Sequence, residues 1–267
     1  MPLSGDVAVV IPARNESDRI GATVTAAAQL AGVDLVVVVD DGSGDGTAEI
    51  AKQAGARVVR HARGRGKAAA METGAKAVAL IEARNAANPG NDHDAPRHLL
   101  FLDADLAGTA AHAGPLTGPV REGHADMTIA VFSRRVRRGG HGFVVALSGT
   151  GIERATGWRP AEPLNGQRCL TRAAFDAALP LAPGFGAETG MTIDLLRKGL
   201  RVTEVEVPLA HRATGGDWRS QLHRAGQFAD VARALAVRHP VRRATAPRLP
   251  GRDVPGSDGA QAGPASG

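Results

Sequence analysis

Residues 98–106 read HLLFLDADL, and this stretch organises the rest of the chain. An apolar run of strand length ends in Asp103-Ala104-Asp105, so two carboxylates follow the strand one residue apart. Removing carboxylates from water is costly unless a partner replaces the lost hydration, and a divalent cation is such a partner. Because ligands of parallel sheets bind at the carboxyl ends of strands, the stretch predicts an oxygen site for Mg2+ or Mn2+. A helix-capping role for Asp105 is the alternative on this stretch alone.

Apolar runs of strand length alternate with alanine-rich helical segments through the first half of the chain. Strands are predicted at 6–11, 33–39, 56–60 and 98–102, and helices at 17–30, from residue 47 onward, and at 67–82. Such alternation implies right-handed crossovers and a mainly parallel sheet with helices on both faces. The predicted fold class is therefore α/β, with a Rossmann-like first half.

The second half is more mixed in character. Strands are predicted at 125–132 and 200–207, the latter as an edge or antiparallel strand, and helices at 143–156, 171–178, 186–198 and 218–238. Residues 85–97 are polar and rich in turn formers, which predicts a surface loop without function. Residues 245–267 lack periodicity and are predicted to be a disordered tail. We expect one domain over 1–244, with a nucleotide-binding half at 1–106 and an acceptor-side half at 107–244.

Composition narrows the classes of partner. The 267 residues carry a net charge of +5, but only 3% are aromatic, so base-stacking surfaces are scarce and nucleic acid is not an expected partner. Anionic small molecules or a membrane surface account for the basicity equally well, and a general richness in arginine without a functional cause is a further alternative. Cys169 is the single cysteine, which excludes an intrachain disulfide and fits a reducing cytoplasm. Without a secretory signal or a run of roughly 18 apolar residues, the chain is expected to be cytoplasmic, with peripheral membrane contact as a further expectation.

Two glycine-rich stretches are poor matches to known nucleotide-binding loops. Residues 42–46, GSGDG, place the third glycine too early for the dinucleotide fingerprint and carry acidic neighbours. Residues 64–68, GRGKA, lack the first glycine and the final Ser or Thr of a P-loop. A P-loop ATPase is therefore not expected. Lys67 and Arg65 remain candidate phosphate or base contacts, with solvated surface charges as the alternative.

Four strand ends carry polar groups toward one edge of the predicted sheet. They are IPARNE at 11–16, VDDGSGDGT at 39–47, HARGRGKA at 61–68 and LDADL at 102–106. This ordered set resembles the family 2 glycosyltransferases and their relatives with the GT-A fold. In that family the first two blocks hold the nucleotide, and the Asp-x-Asp block holds metal and diphosphate. The resemblance covers about residues 7–212 and implies a GT-A fold for this chain.

The resemblance also implies roles for individual residues. Asp41 would accept a hydrogen bond from the base, Lys67 would complete that wall, and Asp105 would bind the metal. The other residues implied to bind the donor are Pro12, Ala13, Arg14, Asn15 and Glu16 at the nucleoside, and Asp103 and Ala104 at the ribose.

Three blocks in the second half of the chain resemble particular groups of enzymes within this family. Residues 163–167 (PLNGQ), 183–190 (PGFGAETG) and 210–212 (AHR) resemble the order in glucosyl-3-phosphoglycerate synthases and in soluble relatives of dolichyl-phosphate sugar synthases. That resemblance implies that Gly166 in its loop and Glu188 read the hydroxyls of the donor sugar, with His211 as a second metal ligand. A neutral imidazole beside hard oxygen ligands suits Mn2+ or Mg2+ bound with a diphosphate.

At two places the sequence departs from the pattern expected of the phosphoglycerate enzymes, and both departures concern binding of the acceptor. Where the phosphoglycerate enzymes are expected to carry an arginine and a threonine, Gly139-Gly140 leads into residues 141–143 (HGF), and Leu209 replaces another expected arginine. A phosphoglycerate acceptor is therefore in doubt. The basic segment 133–142 reads SRRVRRGGHG, and residues 134–143 together with the helix after them are predicted to form a wall for an anionic acceptor. A solvated basic loop is the alternative. The apolar helix itself either meets a lipid phosphate or is a plain core helix.

The sequence thus predicts a metal-dependent glycosyltransferase that moves a hexose, expected to be glucose, from a nucleotide diphosphate sugar to an anionic acceptor. A UDP-sugar is favoured over a GDP-sugar. Asp105 and Glu188 are the predicted catalytic residues, with Glu188 as either a base or a hydroxyl binder. The alternatives are a nucleotide-sugar-binding protein without catalysis and a sugar nucleotidyltransferase. The oligomeric state and the stereochemistry of transfer are left open.

Overall fold

The structure is a computed structural model that describes residues 6–86, 95–132, 142–184, 186–209 and 218–238. Strands and helices alternate in the predicted order. The strands are β1 (Val7–Ala13), β2 (Val33–Asp40), β3 (Arg57–Arg60), β4 (His98–Phe101), β5 (Met127–Phe132), β6 (Arg168–Leu170) and β7 (Val202–Val207). The helices are α1 (Ile20–Ala28), α2 (Thr47–Gln53), α3 (Lys67–Ala86), α4 (Gly118–Arg121), α5 (Gly142–Thr156), α6 (Arg172–Ala177), α7 (Gly186–Arg197) and α8 (Trp218–Val237). A 3-10 helix spans Ala104–Leu116 after β4 and is interrupted by a kink at Ala107, whose backbone is not helical.

The seven strands form one sheet in the order β3-β2-β1-β4-β6-β5-β7. Every strand pair is parallel except the two made by β6, which runs antiparallel to β4 and β5. The predicted mainly parallel α/β sheet is therefore confirmed. The reversed β6 is decisive for the cleft, because it brings the residues before β6 to the edge where β4 ends.

Both faces of the sheet are covered. Successive residues of β1 point to opposite faces, so Val9 packs with α1 and the 3-10 helix while Val10 packs with α3, α6 and α7. On the second face the rings of Phe101 and Phe175 stack with centroids 5.3 Å apart. Burial on both faces explains why β1 and β2 are continuous apolar runs in the sequence.

Several predicted boundaries and one assignment were wrong. Helix α3 continues to Ala86, and the 3-10 helix and α4 were not predicted because small residues and Pro115 hide their periodicity. Strand β7 is the predicted edge strand, but it pairs parallel to β5, so the antiparallel alternative is wrong. Residues 85–97 were predicted to be a surface loop, but the last of them, Arg97, is buried. It donates from Nε to Asp34 Oδ1 at 2.7 Å and so helps to hold the fold together.

Some predictions fall outside the described residues. The predicted tail at 245–267 and most of the basic segment 133–142 are among them, and the domain boundary at residue 244 stays a prediction. In the part of the chain that is described, no helix is both long and apolar enough to cross a membrane.

Candidate functional site

Register within the sheet brings the polar strand ends together. Ala13 of β1 pairs with Asp40 of β2, and Asp40 pairs with Arg60 of β3. In β4, Phe101 pairs with Val10 on one side and with Arg168 of β6 on the other. The blocks after β1 to β4 and the block before β6 therefore meet at one edge of the sheet, where α/β proteins bind ligands.

The loop after β1 is fastened to the loop after β2. The backbone N–H of Asn15 donates to Ser43 Oγ at 2.9 Å, and Asn15 Oδ1 accepts from the N–H of Gly44 at 2.9 Å. One residue on, the N–H of Glu16 donates to Thr47 Oγ1 at 2.9 Å. Asn15 has a φ of 55°, a conformation that asparagine tolerates better than most residues. The two loops form one wall.

The other predicted residues of this block lie along the same wall. Pro12 and Ala13 are the last residues of β1, the former half-buried and the latter buried. Arg14 is exposed, and its guanidinium group lies against Gly64 of the loop after β3. Pro12 and residues 14–16 thus lie along the edge where the nucleoside was predicted to bind, whereas the side chain of Ala13 packs into the core.

Asp41 is buried and holds the loop after β3. Its Oδ1 accepts from His61 Nδ1 at 2.7 Å and from the N–H of Arg65 at 2.8 Å, and its Oδ2 accepts from the N–H of Gly66 at 2.8 Å. Burial raises the pKa of the Asp41 carboxyl, but the hydrogen bonds from His61, Arg65 and Gly66 outweigh burial and lower that pKa below its ordinary value. Asp41 is therefore an anchored carboxylate at neutral pH.

Close contact between the two loops depends on Gly42. This residue has a φ of 72°, and a Cβ there would lie 2.7 Å from the backbone nitrogen of Gly64. His61 completes the junction, because its Nε2 lies 3.0 Å from Thr73 Oγ1 on α3. Sequence reasoning missed His61, since a single histidine after a strand carries no motif of its own.

Lys67, Asp103 and Glu188 form a charged cluster at the centre of this edge. Lys67 Nζ lies 2.7 Å from Asp103 Oδ1 and 3.0 Å from Glu188 Oε1. Burial lowers the pKa of the Lys67 ammonium, but the carboxylates of Asp103 and Glu188 outweigh burial and raise that pKa above its ordinary value. Lys67 is therefore charged, and it joins three blocks that are far apart in the sequence.

The loop before β6 closes over this cluster. Gln167 Nε2 donates to Asp103 Oδ2 at 2.6 Å, so Asp103 is held on both oxygens. At Gly166 a Cβ would lie 2.3 Å from Lys67 Nζ and 3.0 Å from Asp103 Oδ1. A side chain at this position would displace the ends of Lys67 and Asp103 from their ion pair, which fits the glycine in the block PLNGQ.

Arg168 lies behind the cluster with no solvent exposure. It donates from Nε to the carbonyl of Asn165 at 2.7 Å, from Nη2 to the carbonyl of Pro163 at 3.0 Å, and from Nη1 to the carbonyl of Glu188 at 3.1 Å. Desolvation lowers the pKa of this guanidinium to about 10, with Glu188 and Glu204 opposing the shift. Arg168 therefore ties the loop before β6 to the first turn of α7, which carries Glu188.

Asp105 lies beside the cluster in the first turn of the 3-10 helix, half-buried between the buried residues Ala104 and Leu106. Asp103, not Asp105, occupies the helix-capping position, and its side chain makes no cap hydrogen bond. Among the described residues, no cluster of three or more His, Cys, Asp or Glu side chains would hold a cation alone. Mg2+ is commonly held by one or two carboxylates together with substrate phosphates and water, and the hard oxygens of Asp105 fit that arrangement.

The structure thus brings the polar donor-site residues predicted between Arg14 and Glu188 to one edge of the sheet, whereas the side chains of Ala13 and Ala104 pack into the core. His211 belongs to the residues that are not described. Gln167 and Arg168 were missed as individual residues, although Gln167 stands inside the block PLNGQ that was singled out.

A sequence profile of glycosyl transferase family 2 matches residues 8–144, which contain the blocks at the ends of β1 to β4. The chain belongs to this family. The family and the seven-stranded sheet together confirm the predicted GT-A fold and the predicted class of enzyme, a glycosyltransferase.

Relatives and solved structures agree with this assignment. The chain is 29% identical over 221 residues to glycosyltransferase AglJ of Haloferax volcanii, an alignment covering 81% of this chain and 67% of the relative. It is 30% identical over 204 residues to glucosyl-3-phosphoglycerate synthase of Mycolicibacterium paratuberculosis, covering 70% of this chain and 59% of that relative. It therefore spans less than two thirds of the length of the latter enzyme.

The crystal structure of glucosyl-3-phosphoglycerate synthase from Mycobacterium tuberculosis with Mn2+, UDP and phosphoglyceric acid matches with a TM-score of 0.67. The two sequences are 25% identical over that match, which covers 87% of this chain and 78% of the other. A second structure of the same enzyme, with Mn2+, UDP-glucose and glycerol 3-phosphate, matches with a TM-score of 0.65. Sequence identity there is 24%, so that likeness speaks for the fold alone.

Proposed function

We propose that this glycosyltransferase moves glucose from UDP-glucose to an acceptor that carries a phosphate group. The observation that carries the proposal is the cluster of Lys67, Asp103 and Glu188 beside Asp105, at the edge where four strand-end blocks meet. The cluster supplies a cation and carboxylates within one small volume. Such a set suits a ligand with a diphosphate at one end and a ring of hydroxyl groups at the other.

The hydrogen bonds of Asp41 support uracil over guanine. Each carboxylate oxygen has two lone pairs, and three of the four are taken by His61, Arg65 and Gly66. Within the described residues one acceptor position is left on Oδ2, which matches the single N3–H of uracil. Guanine presents N1–H and N2–H side by side and would leave one of these donors without a partner at Asp41.

Asp105, together with His211, is proposed to hold one Mg2+ or Mn2+ with the donor diphosphate. The metal supplies a Lewis acid for the charge that develops on the leaving UDP. Lys67 holds Asp103 and Glu188 in place, and the Glu188 carboxylate accepts hydrogen bonds from the sugar hydroxyls. An ionised phosphate oxygen that attacks the sugar needs no general base, and with such an acceptor Glu188 acts only as a binder. A hydroxyl of a phosphorylated acceptor has to lose its proton, and Glu188 would then be the candidate base.

The acceptor is proposed to be a phosphomonoester. The relatives solved with phosphoglyceric acid support a small phosphate, while one surface feature of this chain supports a lipid phosphate. Phe143 at the start of α5 and Phe228 on α8 are both exposed, with ring centroids 5.6 Å apart. An exposed aromatic pair of this kind fits the headgroup region of a bilayer. A lipid acceptor would bring a cytoplasmic enzyme to the membrane surface.

A transfer assay with matched donors and acceptors tests the proposal. UDP-glucose and GDP-glucose are each incubated with Mn2+ and with 3-phosphoglycerate, glycerol 3-phosphate or a short polyprenyl phosphate, and glycosylated product is measured by mass spectrometry. We expect product from UDP-glucose with one of these phosphates. Tight binding of UDP-glucose without product from any acceptor would favour a non-catalytic nucleotide-sugar-binding protein and would overturn the proposal.

A further inference from the structure

The segment that carries Asp105 has an unusual backbone. Immediately after β4, the chain enters the 3-10 helix at Ala104, and Ala107 has a φ of 49° and a ψ of −138°. Positive φ is uncommon for alanine, because the Cβ crowds the backbone, and such a conformation costs on the order of 1–3 kcal/mol. The surrounding structure must therefore hold Ala107 in place.

Thr23 of α1 makes the bonds that hold this segment. Its side chain is fully buried, its Oγ1 lies 2.8 Å from the carbonyl oxygen of Ala104, and the N–H of Ala107 donates to the same Oγ1 at 2.8 Å. A hydroxyl has one donor and two acceptor positions, so it can donate to Ala104 and accept from Ala107 at once. One side chain therefore fixes the backbone on both sides of Asp105.

A second contact, from the residue just before α1, reaches Asp105 itself. Arg19 Nη1 donates to the backbone carbonyl of Asp105 at 3.2 Å. The neighbouring side chains of Ala104 and Leu106 are buried in the core, so the backbone between them has little freedom. Helix α1 thus sets the direction in which the Asp105 side chain leaves the backbone.

We propose that Thr23 is a positioning residue for the divalent cation and acts through the backbone around Asp105. The inference rests on the proposed metal role of Asp105. Mg2+ and Mn2+ complexes demand well-placed oxygen ligands, and groups that orient a ligand without touching the metal commonly change metal affinity by about 10–100-fold when removed. The hydrogen bonds of Thr23 supply that orientation.

The test compares Thr23→Val with Thr23→Ser. Valine keeps the shape of threonine and removes the hydroxyl, whereas serine keeps the hydroxyl. The Mn2+ dissociation constant is measured by the electron paramagnetic resonance of free Mn2+ in the presence of saturating UDP, and UDP affinity without metal is measured by calorimetry. We expect Thr23→Val to weaken Mn2+ binding about 10-fold, and Thr23→Ser to bind Mn2+ as the unmodified protein does. UDP affinity without metal should be unchanged in both variants.

Thr25 provides a matched control on the same helix. It is exposed, and its hydroxyl donates only within α1, to the carbonyl of Gly21 at 3.0 Å, so Thr25→Val should leave Mn2+ binding unchanged. Circular dichroism checks folding, and Thr23→Ala removes the same hydroxyl if Thr23→Val does not fold. Mn2+ binding by the folded hydroxyl-free variant as tight as in the unmodified protein overturns the inference alone. Absence of Mn2+ binding in the unmodified protein with UDP overturns the proposed metal site as well.

Discussion

At the scale of single residues, Lys67 balances the charge of the proposed donor site. Its ammonium group separates Asp103 from Glu188, and the glycine at 166 leaves room for it. Without Lys67, two carboxylates would face the place where we propose that the diphosphate binds. We therefore expect donor binding to depend on the charge of Lys67.

Replacement of Lys67 tests that dependence. Lys67→Met should lower the stability by about 1–3 kcal/mol, because two partly buried carboxylates lose a charged partner. It should also raise the Km for donor at least 10-fold. Lys67→Arg keeps the positive charge, so it should lose less stability and raise the Km for donor less than Lys67→Met does. Lys76→Met, an exposed change on the same helix, is the control and should leave the donor Km unchanged. An unchanged Km in Lys67→Met would remove Lys67 from the site.

Asp41 gives the second prediction at this scale. Because the folded pKa of Asp41 lies below its ordinary value of 3.8, its contribution to stability is complete above about pH 4 and is lost as pH falls through the folded pKa. The stability difference between the unmodified protein and Asp41→Asn should therefore be largest at neutral pH and shrink in acid. Urea unfolding at pH 7 and pH 3 measures this difference. A difference that grows in acid would contradict the account of Asp41.

At the scale of elements, the sequence predicted which strands carry polar ends, but not the contacts that arrange those ends. Continuous apolar runs such as 33–39 predict buried strands because two covered faces leave no polar positions. The roles of Thr23 and Arg168 were not predictable, since Thr23 bonds to backbone 81 and 84 residues away and Arg168 belongs to a three-residue strand. Contacts of that range leave no local pattern in the sequence.

Arg168 gives the prediction at this scale, because it joins the loop before β6 to α7. Arg168→Met should destabilise the protein by about 3 kcal/mol, since it leaves the buried carbonyls of Pro163 and Asn165 without their guanidinium donors. The carbonyl of Glu188 loses the same donor but keeps the hydroxyl of Thr192. Arg159→Met is the matched control. Arg159 is exposed and pairs with Glu153 at 2.7 Å, so its loss should change stability by less than about 1 kcal/mol. Thermal unfolding of both variants measures the difference, and equal melting temperatures would contradict the bridging role.

At the scale of the whole molecule, the cleft is assembled from both halves of the chain. The first half supplies the loops after β1 to β4, and the second supplies Gly166 and Glu188 through the reversed strand β6 and helix α7. Donor binding should therefore stabilise the molecule as a unit rather than one loop. The family and the fold could be predicted from the sequence, whereas the acceptor side could not, because its basic segment matches no expected pattern.

A thermal shift experiment tests that whole-molecule coupling. At about 100 times the dissociation constant, a ligand that binds only the folded state adds about 2.7 kcal/mol. UDP with Mn2+ should therefore raise the melting temperature by about 5–10 °C for a chain of this size. UDP alone should raise it less, and GDP with Mn2+ should also raise it less. Equal shifts for UDP and GDP would contradict the base preference inferred at Asp41.

Cation dependence of transfer tests the central claim most directly. Glucose transfer from UDP-glucose is measured with the best phosphate acceptor, first with Mn2+, then with excess chelator, then with Mn2+ restored. The account predicts transfer that stops with chelator and returns with Mn2+. Asp105→Asn should lose almost all transfer at an unchanged melting temperature, while Asp176→Asn, an exposed change on α6, should retain it. Transfer that continues in the presence of chelator, or in Asp105→Asn at the rate of the unmodified protein, would contradict the metal-dependent mechanism.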